Sequence, residues 1–197
     1  MLLLPPPAAR CHNGAAMASL RGKLLIASPA LLDPHFARSV VLIAEHTEDG
    51  AMGLVLNRPS DAEVADAVGE LDGIVAPGDL VYEGGPVMTD DVMVLAEFTD
   101  LALAAAVILG DVGFLASHSD PEELADGLRR TRVFAGHSGW MAGQLDAELE
   151  EASWIVVEAQ IDDVFAPDPD ELWGEALERK GGAFALLARM PEDPSVN

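Results

Sequence analysis

The chain has few basic residues, one cysteine and no long apolar run, and each shortage excludes a class of protein. It carries 11 lysines and arginines against 34 aspartates and glutamates, a formal net charge of -23. Nucleic acid is therefore not an expected partner, since phosphate binding requires clustered basic side chains. A single cysteine, Cys11, cannot form an intramolecular disulfide. We therefore expect a reducing compartment, the cytoplasm.

The longest uninterrupted apolar run covers residues 101–109. It is far shorter than the ~20 residues that cross a bilayer as a helix, so no membrane-spanning segment is predicted. The first apolar residues are cut off by three prolines, which is unlike a signal peptide. We interpret residues 1–20 as a mobile tail, with Met17 as an alternative start to Met1, and residues 21–197 as one domain.

The negative charge lies almost entirely in the later part of the chain. Residues 1–60 hold five basic and four acidic side chains, whereas residues 61–197 hold six basic and 30 acidic ones. We expect the acids to decorate exposed faces of the later helices and to keep the surface solvated. The alternative is an acidic patch that binds a basic partner.

Short apolar runs rich in leucine, valine and isoleucine predict buried strands, because they are too short and too continuous for an amphipathic helix. They cover residues 23–28, 40–44, 52–57, 80–83, 92–98, 112–116, 132–135 and 154–159. Between the second and third runs, Glu48, Asp49 and Gly50 are typical of a hairpin turn, so we expect an antiparallel pair there.

Apolar side chains at helical spacing, with start and stop signals, predict helices between the later strands. The predicted helices cover residues 61–71, 119–128, 144–152 and 171–180. Ser60 is placed to cap the first, and Gly181 follows the last, where a glycine can end a helix. A block of strands followed by mixed elements indicates an α+β fold.

The sequence Gly-His-Ser-Gly-Trp at residues 136–140 follows an apolar run and precedes a predicted helix, as a nucleophile elbow does. Trp140 stands where the elbow needs a small residue. We therefore interpret the segment as a glycine-shaped turn whose tryptophan anchors the next helix. The alternative is a hydrolase that uses Ser138 with His118 or His46 and a carboxylate, and it requires the Ser138 hydroxyl to bond an imidazole.

No spacing among the five histidines matches a zinc motif, and no acidic cluster matches a calcium loop. We predict no metal site and no cofactor. Gly84, Gly85 and Pro86 lack the lysine and spacing of a phosphate-binding loop and predict a strand exit with unusual backbone angles. Arg58 follows a buried strand. We expect it to pair with one of the many acids, the alternative being that it receives a carboxylate or phosphate from a ligand.

Several sequence blocks stand in a fixed order: LIA at residues 25–27, DPHFARSV at 33–40, EH at 45–46, GAMGLVLNRP at 50–59, GGPV at 84–87 and GWMAGQL at 139–145. In order and spacing they resemble the YqgE/AlgH family of bacterial proteins, from about Gly22 to about Met190. The resemblance implies one α+β domain with a bent, partly barrel-like, mainly antiparallel sheet flanked by helices. It also implies a cytosolic protein of undetermined biochemistry, since the transcriptional-regulator label of some members rests on phenotype.

The resemblance also implies candidate ligand-binding residues, some polar and some in shaped turns. They are His46, Asn57, Arg58, Gly84, Gly85, Pro86, Gly139, Trp140 and Gln144. The chain departs from the family at Thr47, His137 and Ala96, where asparagine, tyrosine and histidine are usual. Ser138 is often alanine in relatives. These departures weaken both a shared metal site and a shared nucleophile.

We therefore predict a non-enzymatic binding or regulatory protein with no catalytic residue, whose binding surface gathers these residues. The expected partner is a protein or a small molecule. Direct DNA binding is not expected, because no helix-turn-helix pattern is present and the only dense basic cluster, Arg129, Arg130 and Arg132, is small. Regulation through a protein partner stays open as an alternative.

Overall fold

The computed structural model describes residues 18–71, 74–116, 124 and 126–189. Its strands are β1 (Lys23–Ala27), β2 (Val40–Thr47), β3 (Gly50–Val55), β4 (Pro59–Glu63), β5 (Leu80–Glu83), β6 (Val87–Phe98), β7 (Ala104–Leu109), β8 (Val112–Leu115), β9 (Leu128–Met141) and β10 (Trp154–Glu158). Its α-helices are α1 (Val64–Ala67), α2 (Gln144–Glu150), α3 (Ile161–Val164), α4 (Leu172–Lys180) and α5 (Phe184–Leu187). Two 3-10 turns cover Gly69–Leu71 and Leu101–Leu103.

One curled sheet carries the fold, with its strands in the order β10-β1-β2-β3-β9-β6-β8-β7. All pairs along this path are antiparallel. Strand β5 joins β9 by a parallel pairing and pairs on its other side with β4. The sheet forms half a barrel with helices around it, which confirms the predicted single α+β domain.

Strands β1 and β2 are apolar on both faces because each face meets a different core. Leu24 and Leu42 face a core that includes Trp173 of α4, which is 1% exposed. Leu25 and Val41 face a second core that includes Trp140. Strands buried on both faces have continuous apolar sequences, which is why these two runs were predictable.

The hairpin between β2 and β3 has the predicted turn. Thr47 lies opposite Gly50, and Gly50 has a φ of 140°, a conformation that favours glycine. The other predicted strands are confirmed as well, although β6 and β9 are longer than predicted. Strands β4 and β7 were missed; β7 lies within the apolar run that had been assigned no element.

The prediction of a helix over residues 61–71 was wrong in its first part. Residues up to Glu63 continue β4, which pairs with β5, and only the short helix α1 and a 3-10 turn follow. Ser60 therefore caps no helix; its hydroxyl accepts a hydrogen bond from the Ala62 N–H. Strand pairing prevailed over local helical preference, although Val64, Val68 and Leu71 do pack in one cluster as their spacing suggested.

The interpretation of Gly139 and Trp140 as a turn was also wrong. Both residues lie in β9, where Trp140 pairs with Ala51 and Gly139 with Met52. The strand instead bends at Gly136, whose φ is 68°, between the part paired with β5 and the part paired with β3.

Helices α2 and α4 match the predictions over residues 144–152 and 171–180 closely, and Gly181 follows α4 with a φ of 77°. Most of the helix predicted over residues 119–128 lies outside the described residues. Among the helices that are described, none has the length and apolar character required to cross a membrane.

Candidate functional site

One concave site in the described part of the chain is a cleft of about 560 Å³, which we call the Arg58 cleft. It opens between β4, α1, β5 and β9. Its apolar walls are formed by Val55, Ala62, Ala67, Val81 and Ala135. Its more polar border is formed by His35, Arg58, Ser60, Glu83, Gly85, Pro86 and Thr89.

Glycines at the crossing of two backbones shape one wall of this cleft. Gly84 and Gly85 leave β5 and pass directly over the bend of β9. A methyl group on Gly84 would overlap the Gly136 carbonyl oxygen, and one on Gly85 would overlap the backbone at His137 and Ser138. Gly85 also has a φ of 149°. The predicted strand exit with unusual backbone angles is confirmed.

Arg58 is half-buried at the border of the cleft, and its guanidinium bonds to backbone rather than to an acid. One terminal nitrogen donates to the Pro34 carbonyl at 3.0 Å and the other to the Ala37 carbonyl at 3.1 Å. No carboxylate of a described residue lies within 4 Å of it, so the expected internal ion pair was wrong. Arg58 ties the loop between β1 and β2 to the cleft.

Asn57, next to Arg58, holds the same loop and does not line the cleft. Its side-chain oxygen accepts from the Val40 N–H at 2.9 Å, and its amide donates to the Arg38 carbonyl at 3.0 Å. Two consecutive polar residues therefore fix the entry into β2. This packing role accounts for Asn57 without a ligand.

The other polar candidates lie away from the cleft. The Nδ1 of His46 accepts from the Leu20 N–H at 3.1 Å, so His46 and Leu20, a residue assigned to the N-terminal tail, are in contact. Gln144 bonds to Glu148 at 2.9 Å within α2, and the Nε1 of Trp140 donates to the same Glu148 at 2.9 Å. Trp140 does anchor the following helix, as proposed from the sequence.

Ser138 cannot be the nucleophile of the hydrolase hypothesis. Its side chain is 0% exposed, and its hydroxyl donates to the Gly84 carbonyl at 3.2 Å. The hypothesis required a bond to an imidazole. His46 bonds to the backbone elsewhere, and His118 lies outside the described residues. Ser138 is therefore not placed for catalysis. Its hydrogen bond links β9 to the segment that follows β5.

A second concave region was not among the candidate sites predicted from the sequence. Two depressions of about 380 and 300 Å³ share Asp79, Thr131 and Arg132, and we call them together the Arg132 groove. It runs along β9 before that strand begins to pair with β5 at Val133. The basic cluster of residues 129–132 in an acidic chain was the sequence feature that pointed to this region, but it was considered only as a possible DNA-binding surface.

Most of the charge in that cluster is neutralised inside the protein. Arg130 donates to Glu97 at 2.6 Å and to Asp162 at 2.9 Å, and Arg129 donates to Glu97 at 3.2 Å. Glu97 is 8% exposed. The hydrogen bond from Arg130 holds the pKa of Glu97 below its usual value, against the opposing effect of burial.

Arg132 is the exception in the cluster. Its guanidinium stacks on the Tyr82 ring at 4.2 Å from the ring centroid and donates to the Ala166 carbonyl at 2.8 Å. Its Nη1 atom is buried and has no acceptor among the residues that the structure describes. Burial lowers the pKa of Arg132 below its ordinary value, although an arginine stays charged at neutral pH.

The described residues contain no group of three or more His, Cys, Asp or Glu side chains that could hold a metal ion. The two arginine-bearing concavities are candidate sites for a ligand other than a metal ion.

Comparison with known proteins finds relatives over most of the chain. The AlgH-like family model, DUF179, matches residues 24–185. A UPF0301 protein of Streptomyces avermitilis is 42% identical over 188 residues, which cover 92% of this chain and 97% of that one. One of Streptomyces coelicolor is 40% identical over 187 residues, with the same coverage.

Two solved structures are also similar. A crystal structure of protein DIP2367 from Corynebacterium diphtheriae has a TM-score of 0.79 and 31% identity, and the match covers 86% of this chain and 91% of that one. The solution structure of the AlgH protein from Pseudomonas aeruginosa has a TM-score of 0.67 and 32% identity, covering 89% and 96%.

Proposed function

The chain belongs to the AlgH-like family, as its sequence blocks predicted, and from that premise we propose that it is a non-enzymatic binding protein whose ligand occupies the Arg58 cleft. The observation that carries the proposal is the combination of an apolar-walled cleft of about 560 Å³ with a guanidinium at its border. Small-molecule sites commonly have this size, with apolar walls and few polar groups.

The chemistry of the cleft selects the class of ligand. Val55, Val81 and Ala135 would pack against an apolar body. Arg58 would meet a polar or anionic head, because its fixed fork presents several N–H donors. We therefore expect a small molecule with an apolar body and a polar head. Three of the residues suggested by the family resemblance, Arg58, Gly85 and Pro86, border this cleft.

Regulation would follow from such binding through the loop that Arg58 holds. A ligand that competes for the guanidinium would weaken its bonds to Pro34 and Ala37. The exposed part of that loop, which includes Leu32 at 83% exposure, would then change its position relative to the sheet. A ligand can shift a conformation only through such a difference in contacts.

The test uses 8-anilinonaphthalene-1-sulfonate as probe, since it combines an apolar body with an anionic head. We expect one saturable site by fluorescence. The substitution Ala67→Phe puts a ring into the cleft and should weaken binding about tenfold or more, the equivalent of about 1.4 kcal/mol. Ala65→Phe is the matched control, because Ala65 is exposed in the same helix and does not line the cleft.

Equal binding of the probe by the wild type and both variants would contradict the proposal. Circular dichroism of each variant checks that the fold is retained. Ala67 and Ala65 are both exposed, so neither substitution enlarges a buried side chain and both variants should fold.

A further inference from the structure

The Arg132 groove contains a half-buried arginine whose Nη1 atom is fully buried. Arg132 contributes to both of its depressions, together with Asp79 and Thr131. The two latter side chains are already engaged by backbone. Asp79 accepts from the Ala76 N–H at 2.8 Å, and the Thr131 hydroxyl donates to the Ile74 carbonyl at 3.0 Å. Arg129 and Arg130 also line the groove but are paired with carboxylates, so the lining arginine without a carboxylate among the described residues is Arg132.

Arg130, two residues earlier on the same strand, provides a comparison, because its guanidinium is paired within the protein. Its guanidinium meets two carboxylates, Glu97 and Asp162, and stacks on Phe165 at 4.6 Å from the ring centroid. Arg132 also stacks on an aromatic ring, but no carboxylate of a described residue lies within 4 Å of it. The chain has 34 acids, so the missing counter-ion does not reflect a shortage.

A guanidinium nitrogen that has no acceptor among the described residues destabilises the fold but favours the binding of an anion. A buried donor without an acceptor costs the free energy of its lost hydration. The same low-dielectric surroundings strengthen its attraction for an anion. The stack on Tyr82 restricts the orientation of the planar fork, and that fork matches the oxygens of a phosphoryl or carboxylate group. A single such cation suits a small anion, not a nucleic-acid backbone, which requires several.

We propose that the Arg132 groove is a second ligand site, distinct from the Arg58 cleft, and that it binds a small oxyanion, a phosphoryl or carboxylate group, through the guanidinium of Arg132. Tyr82 positions the guanidinium and the Ala166 carbonyl holds its other terminal nitrogen. The negative charge of Asp79 at the border limits the affinity and favours ligands of low total charge.

Tyr82 provides a specific reporter, because it is the only tyrosine of the chain and its ring lies against Arg132. With the tyrosine ring selectively labelled with ¹³C, we would titrate the protein with inorganic phosphate and, separately, with succinate, keeping ionic strength constant with chloride. The expected result is a saturable shift of the ring signals with a dissociation constant on the order of 1 mM.

Two matched arginine-to-lysine substitutions complete the test, one inside the groove and one outside it. Arg132→Lys keeps the charge but loses the fork and should weaken binding about tenfold or more. Arg21→Lys, at an exposed arginine that lines neither depression of the groove, should stay within about twofold of the wild type.

A saturable response to phosphate, succinate or both supports the site and identifies which oxyanion it prefers. A linear response of wild-type Tyr82 to both anions would overturn the proposal, and so would wild-type affinity in Arg132→Lys.

Discussion

The Arg58 cleft and the Arg132 groove each contain an arginine that no carboxylate of a described residue neutralises, in a chain with a net charge of -23. Arg58 gives both terminal nitrogens to backbone carbonyls and borders apolar walls. Arg132 donates from one nitrogen to a carbonyl, and another of its nitrogens is buried without an acceptor in the described part of the chain. Arg58 therefore holds a loop, and a ligand would have to share its donors, whereas Arg132 is held by an aromatic ring and is proposed to bind an anion directly.

The two sites also differ in how their walls are made. The cleft depends on two backbones in direct contact at Gly84, Gly85 and Gly136. The groove lies along a strand edge and is lined mainly by side chains. Replacing a glycine by alanine at this crossing should therefore disturb the structure of the cleft far more than that of the groove.

Gly84→Ala should have the largest effect. The new methyl group would overlap the Gly136 carbonyl oxygen and approach a Leu54 side-chain carbon at 2.9 Å, and backbone cannot yield as a flexible side chain does. We expect a loss of about 3 kcal/mol or more in the free energy of unfolding. Urea denaturation followed by tryptophan fluorescence measures it.

The matched control is Gly69→Ala. No atom of a described residue lies within 4 Å of a methyl group at Gly69, and its backbone conformation is open to other residues. Its stability should change by less than about 1 kcal/mol, and it can rise, since alanine restricts the unfolded chain. Similar losses in the two variants would show that the crossing at Gly84 is not tightly packed.

Glu97→Gln should have the next largest effect, because it removes the charge that neutralises Arg129 and Arg130. We expect a loss of about 2 kcal/mol at pH 7. In the folded protein the pKa of Glu97 lies below its usual value of 4.5. Its ionised form therefore stabilises the fold above that value, and the contribution is lost as the pH falls through the folded pKa.

The difference in unfolding free energy between wild type and Glu97→Gln should accordingly shrink as the pH is lowered from 7 through about 4.5 and below. Glu158→Gln is the control. Glu158 pairs with Lys23 at the surface with 82% exposure, where an ion pair contributes about 0–1 kcal/mol. If the difference in unfolding free energy between wild type and Glu97→Gln stayed constant from pH 7 to pH 3, ionised Glu97 would not be what stabilises the cluster.

The parts of the fold that were predictable from the sequence are those where one local signal determines the structure. Strands β1 and β2 have continuous apolar runs because both of their faces are buried, and the turn at Gly50 requires a backbone angle that favours glycine. Strand β4 was not predictable, because its partner β5 lies about 20 residues later and local preference favours a helix. Gly139 resembled a turn because the pairing of β9 with β3 joins residues far apart in the chain.

Only part of the candidate site was predictable from the family resemblance, and the contacts of its residues were not. The family resemblance selected Arg58, Gly85 and Pro86, which border one cleft. It also selected Gln144 and Trp140, which meet at Glu148 away from that cleft. The carbonyl partners of Arg58 lie more than 20 residues earlier in a loop. No residue type marks a carbonyl acceptor, so charge counting pointed to an acid instead.

Asp79→Asn should have the smallest effect and separates the two sites most sharply. Asparagine keeps an oxygen that can accept from the Ala76 N–H, so the loop should hold, while a negative charge leaves the border of the Arg132 groove. Phosphate binding reported by Tyr82 should tighten about threefold, as expected for one partly screened charge. The affinity for 8-anilinonaphthalene-1-sulfonate should not change, because Asp79 does not line the Arg58 cleft.

Asp49→Asn, in the hairpin between β2 and β3, controls for net charge. If both substitutions tighten phosphate binding equally, overall charge and not the groove determines affinity; if Asp79→Asn alone does so, the field at Arg132 is local.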